Sequence, residues 1–130
     1  MQWLAGFTDR LETADVASVD DLDRLLDALT TRALDLAIPF DVTVDPGDGT
    51  SMDIVVGGDT AAVQWIRDDP WDCQVSTTDH TDDGVVHFAG GGQFSEIPRR
   101  LWIEVALARH AIRHYFATGD LTPRVRWESF

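Results

Sequence analysis

A chain of 130 residues with 44% hydrophobic content has the size of one ordinary domain and is too apolar to stay disordered. Its 10 basic residues, all arginine, stand against 23 acidic ones for a net charge of −13, which argues against nucleic acid and anionic membrane as partners, since phosphate binding needs clustered Lys or Arg. One cysteine, Cys73, excludes an internal disulfide, and no apolar run is long enough for a transmembrane helix. Met1 to Arg10 lacks the basic start, apolar stretch and cleavage site of a signal peptide, so the expected compartment is the cytoplasm. The acidity suits a basic protein partner; solubility, GC-rich coding and salt adaptation explain it equally well.

Trp3, Leu4 and Phe7 predict a short edge strand or an apolar tether. Ser18, three residues before Asp21, opens a helix in the manner of a capping box. Leu22, Leu25, Leu26, Leu29, Ala33 and Leu36 recur at helical spacing, and Pro39 is the expected stop. Period-two alternation follows. Phe40, Val42 and Val44 run into the turn Pro46-Gly47-Asp48-Gly49, and Met52, Ile54 and Val56 stop at Gly57-Gly58-Asp59. Ala61, Val63 and Trp65 end at Asp68-Asp69-Pro70, and a weaker strand is expected over about 73–78. Asp82-Asp83-Gly84 opens Val85 to Ala89, and Gly90-Gly91-Gly92 turns into Gln93 to Ile97. Such short connections favour an antiparallel meander, because parallel strands need long crossovers.

A second helix is expected from Pro98, with Leu101, Val105, Ala108, Ile112, Tyr115 and Phe116 as its stripe and Gly119 as its cap. Arg124 to Glu128 then alternates as a strand with Val125 and Trp127 inward. The predicted class is α+β: an antiparallel β-meander sheet with two helices packed on one face and a C-terminal strand, in a single domain over 1–130.

Catalytic chemistry finds no complete set. His110 and His114 have the spacing of two metal ligands on a helix, but the intervening Ala111, Ile112 and Arg113 supply no Glu, and Arg113 disfavours a dication. Cys73 with His80 or His87 is a coincidence of sequence, and a lone Cys is commonly an apolar filler. The glycine run lacks the Lys-Ser/Thr of a phosphate loop and is better read as a turn. No catalytic residue, cofactor or metal is therefore expected. The acidic clusters remain, Asp68, Asp69 and Asp72 around Trp71, and Asp79, Asp82 and Asp83 around His80. A tryptophan among carboxylates is an anchor type for interfaces; the competing reading folds Trp71 back over the sheet edge. These seven residues are the candidate partner-binding set.

Phe94-Ser95-Glu96-Ile97-Pro98, the helix closing on Ala111-Ile112-Arg113-His114-Tyr115-Phe116-Ala117-Thr118-Gly119, then Pro123 and Arg126-Trp127-Glu128 resemble the C-terminal signature of a bacterial immunity-protein family. Val63-Gln64-Trp65-Ile66 and the acidic loop after it are similar to that family's middle region, so the resemblance spans about 52–130. It implies an α+β antidote in a polymorphic-toxin system, often paired with deaminase-type toxins, that binds a cognate and basic toxin and blocks its active site. A small-molecule-binding or accessory biosynthetic α+β domain and a structural homodimer are the alternatives.

Overall fold

The computed structural model describes residues 3–7, 12–78, 84–90 and 93–130, with side chains from 14 onward apart from 93 and 94. In chain order, β1 (Trp3–Phe7) and β2 (Glu12–Val16) precede α1 (Val19–Leu36). The strands β3 (Phe40–Asp45), β4 (Thr50–Val56), β5 (Thr60–Ala61), β6 (Val63–Arg67), β7 (Asp72–Thr77), β8 (Val85–Gly90) and β9 (Gln93–Pro98) follow. A 3-10 turn (Arg99–Leu101), β10 (Ile103–Glu104), α2 (Val105–Thr118) and β11 (Arg126–Ser129) complete the chain. The main sheet runs β11-β7-β6-β4-β3-β1-β2, and β5 and β10 form a two-stranded sheet of their own.

This is the α+β meander that the alternation predicts, with two departures. Strand β1 is interior to the sheet, since it pairs antiparallel with both β2 and β3, so Trp3 to Phe7 is neither an edge strand nor a tether. The edge beyond it is β2, whose sequence Glu-Thr-Ala-Asp-Val shows little apolar signal. The second departure is parallel. Strand β8 meets β3 at Phe40–Ala89, carries β9 as its hairpin partner, and shares with β1 the side of β3 away from β4.

Helix α1 starts as its capping signal requires. The Ser18 hydroxyl accepts from the Asp21 N–H at 3.1 Å, and the Asp21 carboxylate accepts from the Ala17 N–H at 3.2 Å, one residue earlier than an ideal box. Its end is not at Pro39. Ala37 adopts the left-handed conformation and its N–H returns to the Ala33 and Leu34 carbonyls, closing the helix at Leu36, which is left exposed. The second helix also begins later than expected, because Pro98 ends β9, Leu101 lies in the 3-10 turn and Val105 is exposed. Gly119 caps it in the left-handed conformation.

Both helices cover one face of the sheet. Leu22, Leu26, Leu29 and Ala33 of α1 and Ala108, Ala111, Ile112 and Tyr115 of α2 pack on Phe40, Val42, Val44, Met52, Ile54 and Val63. The register explains the sorting: Val42 faces Ile54 and Ile54 faces Val63, so a period-two pattern in each strand puts all three on the same side. Arg109 bridges the helices through Asp27 at 2.9 Å, and Arg113 reaches Asp23 at 3.5 Å. The turn after β4 demands a glycine for two reasons. Gly57 has φ +97°, and a Cβ there would lie 2.4 Å from the Ala33 Cβ of α1. Val125 is buried and Trp127 packs against the same core, donating from Nε1 to the Thr122 carbonyl at 2.9 Å, as the inward alternation of the last segment predicts.

The other face carries Asp41, Thr43, Asp53, Val55, Ala62 and Gln64, by the same registers. A smaller apolar cluster of Val55, Ala62, Phe88 and Trp102, flanked by Val86 and Ile97, packs there, with Phe88 set edge-on to Trp102 at 5.9 Å between centroids. No described helix is long and apolar enough to cross a membrane.

Candidate functional site

Two hairpin turns meet at one end of the sheet. The β3–β4 turn is shaped by its own aspartates: Asp45 accepts from the Gly47 N–H at 2.7 Å, and Asp48 accepts from the Thr50 N–H at 3.0 Å. Because Thr50 pairs with Arg67, the β6–β7 turn emerges alongside, and the Asp68 N–H donates to the Gly49 carbonyl at 2.9 Å. Gly49 has φ +87°, which suits glycine. Five aspartates, at 45, 48, 68, 69 and 72, are thereby gathered at this end.

This end is anchored to the core through one polar relay. The Thr50 hydroxyl donates to Asp48 at 2.6 Å, so its oxygen accepts from the Tyr115 hydroxyl, also at 2.6 Å. Tyr115 is fully buried, and its phenol is pushed up to about 12 by burial, against its hydrogen bond with Thr50 and with the help of Asp48 and Asp45. A neutral phenol thus donates a hydrogen bond toward an acidic turn at any physiological pH.

Trp71 stands out from this turn with 68% of its surface exposed, so it does not fold back over the sheet edge. Asp68 and Asp69 are exposed, and Asp72 is half-buried, held by the Gln74 amide at 3.0 Å and by Arg67 at 3.8 Å. Arg67 also donates to the Pro70 carbonyl at 2.9 Å, which fixes the turn from inside. A second aromatic joins it. The Phe130 N–H donates to the Cys73 carbonyl at 3.0 Å, two residues past Trp71, and Phe130 is 66% exposed. The sequence offers no local signal for Phe130; only the pairing of Ser129 with Gln74 brings it to the turn. Asp79, Asp82 and Asp83, and His80 with them, lie outside the described residues.

The remaining sequence candidates separate. His110 and His114 have ring centroids 6.0 Å apart, and His110 Nε2 shares a hydrogen bond with the Thr122 hydroxyl at 3.2 Å. Burial, then Arg124, His114 and Arg113, hold the His110 imidazole below its usual value. No group of three His, Cys, Asp or Glu among the described residues is placed to hold a metal ion. Cys73 is buried and accepts from the Gln64 amide, whereas His87 sits exposed on β8 beside Glu96. Gly90 pairs with Gln93 across the β8–β9 hairpin, and Gly91 and Gly92 lie outside the described residues.

One buried acid was not singled out by the sequence. Asp53 lies under the β8–β9 hairpin beside a cavity of about 40 Å³ lined by Asp41, Val55, Gln64, Val75, Phe88 and Ile97. Burial pushes its carboxyl up to about 6, against a 2.6 Å hydrogen bond from Thr43 and with the help of Asp41. A space of that size holds about one water molecule, too little for a small-molecule substrate.

The comparison with family models decides the family. The model of Immunity protein Imm1 matches residues 10–129, nearly the whole chain. The chain belongs to the Imm1 immunity protein family. Among curated proteins none matches it. The family resemblance carried by the C-terminal signature therefore holds and extends well into the N-terminal part, past the point where the signature motifs run out.

Proposed function

We propose that this Imm1 protein is an antidote that works by binding, not by catalysis, and that its partner is a basic bacterial toxin domain of the deaminase or nuclease kind whose active site it blocks. Membership of the immunity family supports the antidote role. The observation that carries the choice of surface is Trp71, a large aromatic 68% exposed on a turn that is otherwise acidic. An exposed tryptophan has the most to gain from desolvation in a complex, and the aspartates around it supply long-range attraction to a cationic partner. An enzyme acting on nucleic acid carries a basic substrate groove, which an acidic turn of this kind would occupy. Asp68, Asp69, Trp71 and Asp72 are the proposed contact residues, with Phe130 beside them; Asp79, Asp82 and Asp83 are proposed as a second acidic contact on sequence grounds.

The two kinds of contact have different kinetic signatures. Carboxylates on a rim raise the association rate and lose their effect in salt, whereas a buried aromatic slows dissociation. Surface-plasmon kinetics with the toxin encoded next to this gene should show slower association for the Asp68→Asn/Asp69→Asn/Asp72→Asn triple variant at low salt only. Trp71→Ala should dissociate faster at every salt concentration, by about 2 kcal/mol or more. Parent-like kinetics for both variants would move the interface away from this turn.

A further inference from the structure

The main sheet ends on two strands, β2 and β11. Strand β11 pairs with β7 alone among the described strands, so half of its main-chain groups face away from the sheet. The register says which. The Phe130 N–H donates to the Cys73 carbonyl at 3.0 Å, so Phe130 stands at a hydrogen-bonded position. Such positions alternate along an antiparallel pair, which makes Glu128, opposite Val75, and Arg126, opposite Thr77, the next two. Trp127 and Ser129 lie between them, and their N–H and C=O groups therefore point outward. Neither main chain has a hydrogen-bond partner among the described residues: Trp127 bonds from its ring to Thr122, and Ser129 is met at its hydroxyl by the Gln74 amide.

An open edge is a template for another strand, and proteins blunt it with proline, a bulge or free charge. The segment Arg126-Trp127-Glu128-Ser129 has no proline, its register with β7 runs unbroken, and the Glu128 carboxylate is neutralised by Arg100. What adjoins the edge also points to a protein. Trp71 and Phe130, the exposed tryptophan and phenylalanine of the described residues, stand at its C-terminal end, with Asp68 and Asp69 on the same turn as Trp71. The other edge, β2, offers no exposed aromatic among its described side chains Ala14, Asp15 and Val16. Edge pairing supplies affinity through main-chain bonds and is nearly indifferent to sequence, so the choice of partner falls to the side chains beside it. Here those are two rings and a local negative field, which fit a segment with apolar and cationic side chains and repel an acidic one.

We infer that β11 receives an extended segment of the protein partner as an added strand. The segment bonds to the outward N–H and C=O groups of Trp127 and Ser129 and sets a cationic side chain against Asp68 and Asp69. The contact at Trp71 thereby gains a main-chain component that side-chain substitutions in the turn do not reach. Taking the partner to be the toxin rests on the antidote reading.

The test is amide hydrogen exchange, read by NMR on the full chain alone and with the toxin encoded next to this gene. In the free chain Trp127 and Ser129 should exchange fast and Glu128 slowly, as their alternate directions require. In the complex the Trp127 and Ser129 amides should slow by about tenfold or more. Ser129→Pro removes an outward donor and leaves the ladder to β7 intact, so it should keep a parent-like unfolding midpoint and weaken toxin binding by about tenfold or more. A complex that forms while both amides still exchange fast overturns the strand addition and leaves the antidote reading standing, as does parent-like affinity of a folded Ser129→Pro chain. Should that variant unfold, the exchange measurement on the parent decides. Protection in the free chain that grows with its own concentration assigns the edge to a second copy and also overturns the inference. Absence of any complex overturns the antidote reading, and the inference falls with it.

Discussion

The two faces of the β3–β4–β6 sheet are made by the same strands and solve burial in different ways. On the helix side Val42, Ile54 and Val63 meet leucines and alanines, and the relation is purely apolar. On the hairpin side Thr43, Asp53 and Gln64 occupy the very next positions, and Phe88 and Ile97 of the β8–β9 hairpin pack on that face together with Trp102. A helix brings a wide apolar stripe and leaves buried polar atoms no partner, so the face beneath it has to be apolar. The narrow hairpin tolerates a buried carboxyl because Thr43 donates to it and because a raised pKa lets it shed its charge. One face therefore holds the fold at any pH, and the other holds it conditionally.

The largest effect should fall on the helix side. Trp127→Ala removes a large aromatic packed against the main core and the donor to the Thr122 carbonyl, and should cost about 3–5 kcal/mol in a urea unfolding experiment. An unchanged midpoint would place Trp127 outside the core.

On the hairpin side the effect should depend on pH. The Asp53 carboxyl is raised in the folded state, so folding binds a proton that the unfolded chain, with an ordinary carboxyl value near 3.8, releases earlier. Its contribution is full below about pH 4, declines as the pH rises through about 6, and is lost above, a fall of up to about 3 kcal/mol. The carboxylates of Asp21 and Glu128, held low by Arg24 and Arg100, have the opposite slope and lose stability toward acid. The diagnostic comparison is therefore parent against Asp53→Asn: the difference between them should shift by that amount from pH 4 to pH 7, and a constant difference would show that Asp53 keeps its charge.

A smaller effect tests how the core is joined to the acidic end. Tyr115→Phe removes the donor to Thr50 while keeping the ring, and should cost about 1 kcal/mol in stability. Smallest of all, Trp71→Ala should change the unfolding midpoint by less than about 0.5 kcal/mol, because its ring is mostly exposed. A clear loss of stability would mean that the turn, not a partner, uses that ring.

Much of this protein was written locally. The leucine spacing from Leu22 to Leu29, the Ser18 cap and the alternations from Phe40 to Trp65 specify helix, strand and face, because periodicity alone decides which side chains share a side. Trp71 was visible in the sequence as a large aromatic among carboxylates, and its ring is exposed; that it meets a partner is proposed. The start of α2 was not legible, because Pro98 is as acceptable at the end of a strand as at the start of a helix, and the short β10 that precedes α2 exists only through its pairing with β5. Nor were the β3–β8 junction, the interior place of β1, the arrival of Phe130 beside Trp71 or the burial of Asp53. Each depends on which distant strands become neighbours. A residue's own sequence records its side of a strand, but what covers that side is set by strand order, and strand order is fixed only when the whole sheet closes against its helices.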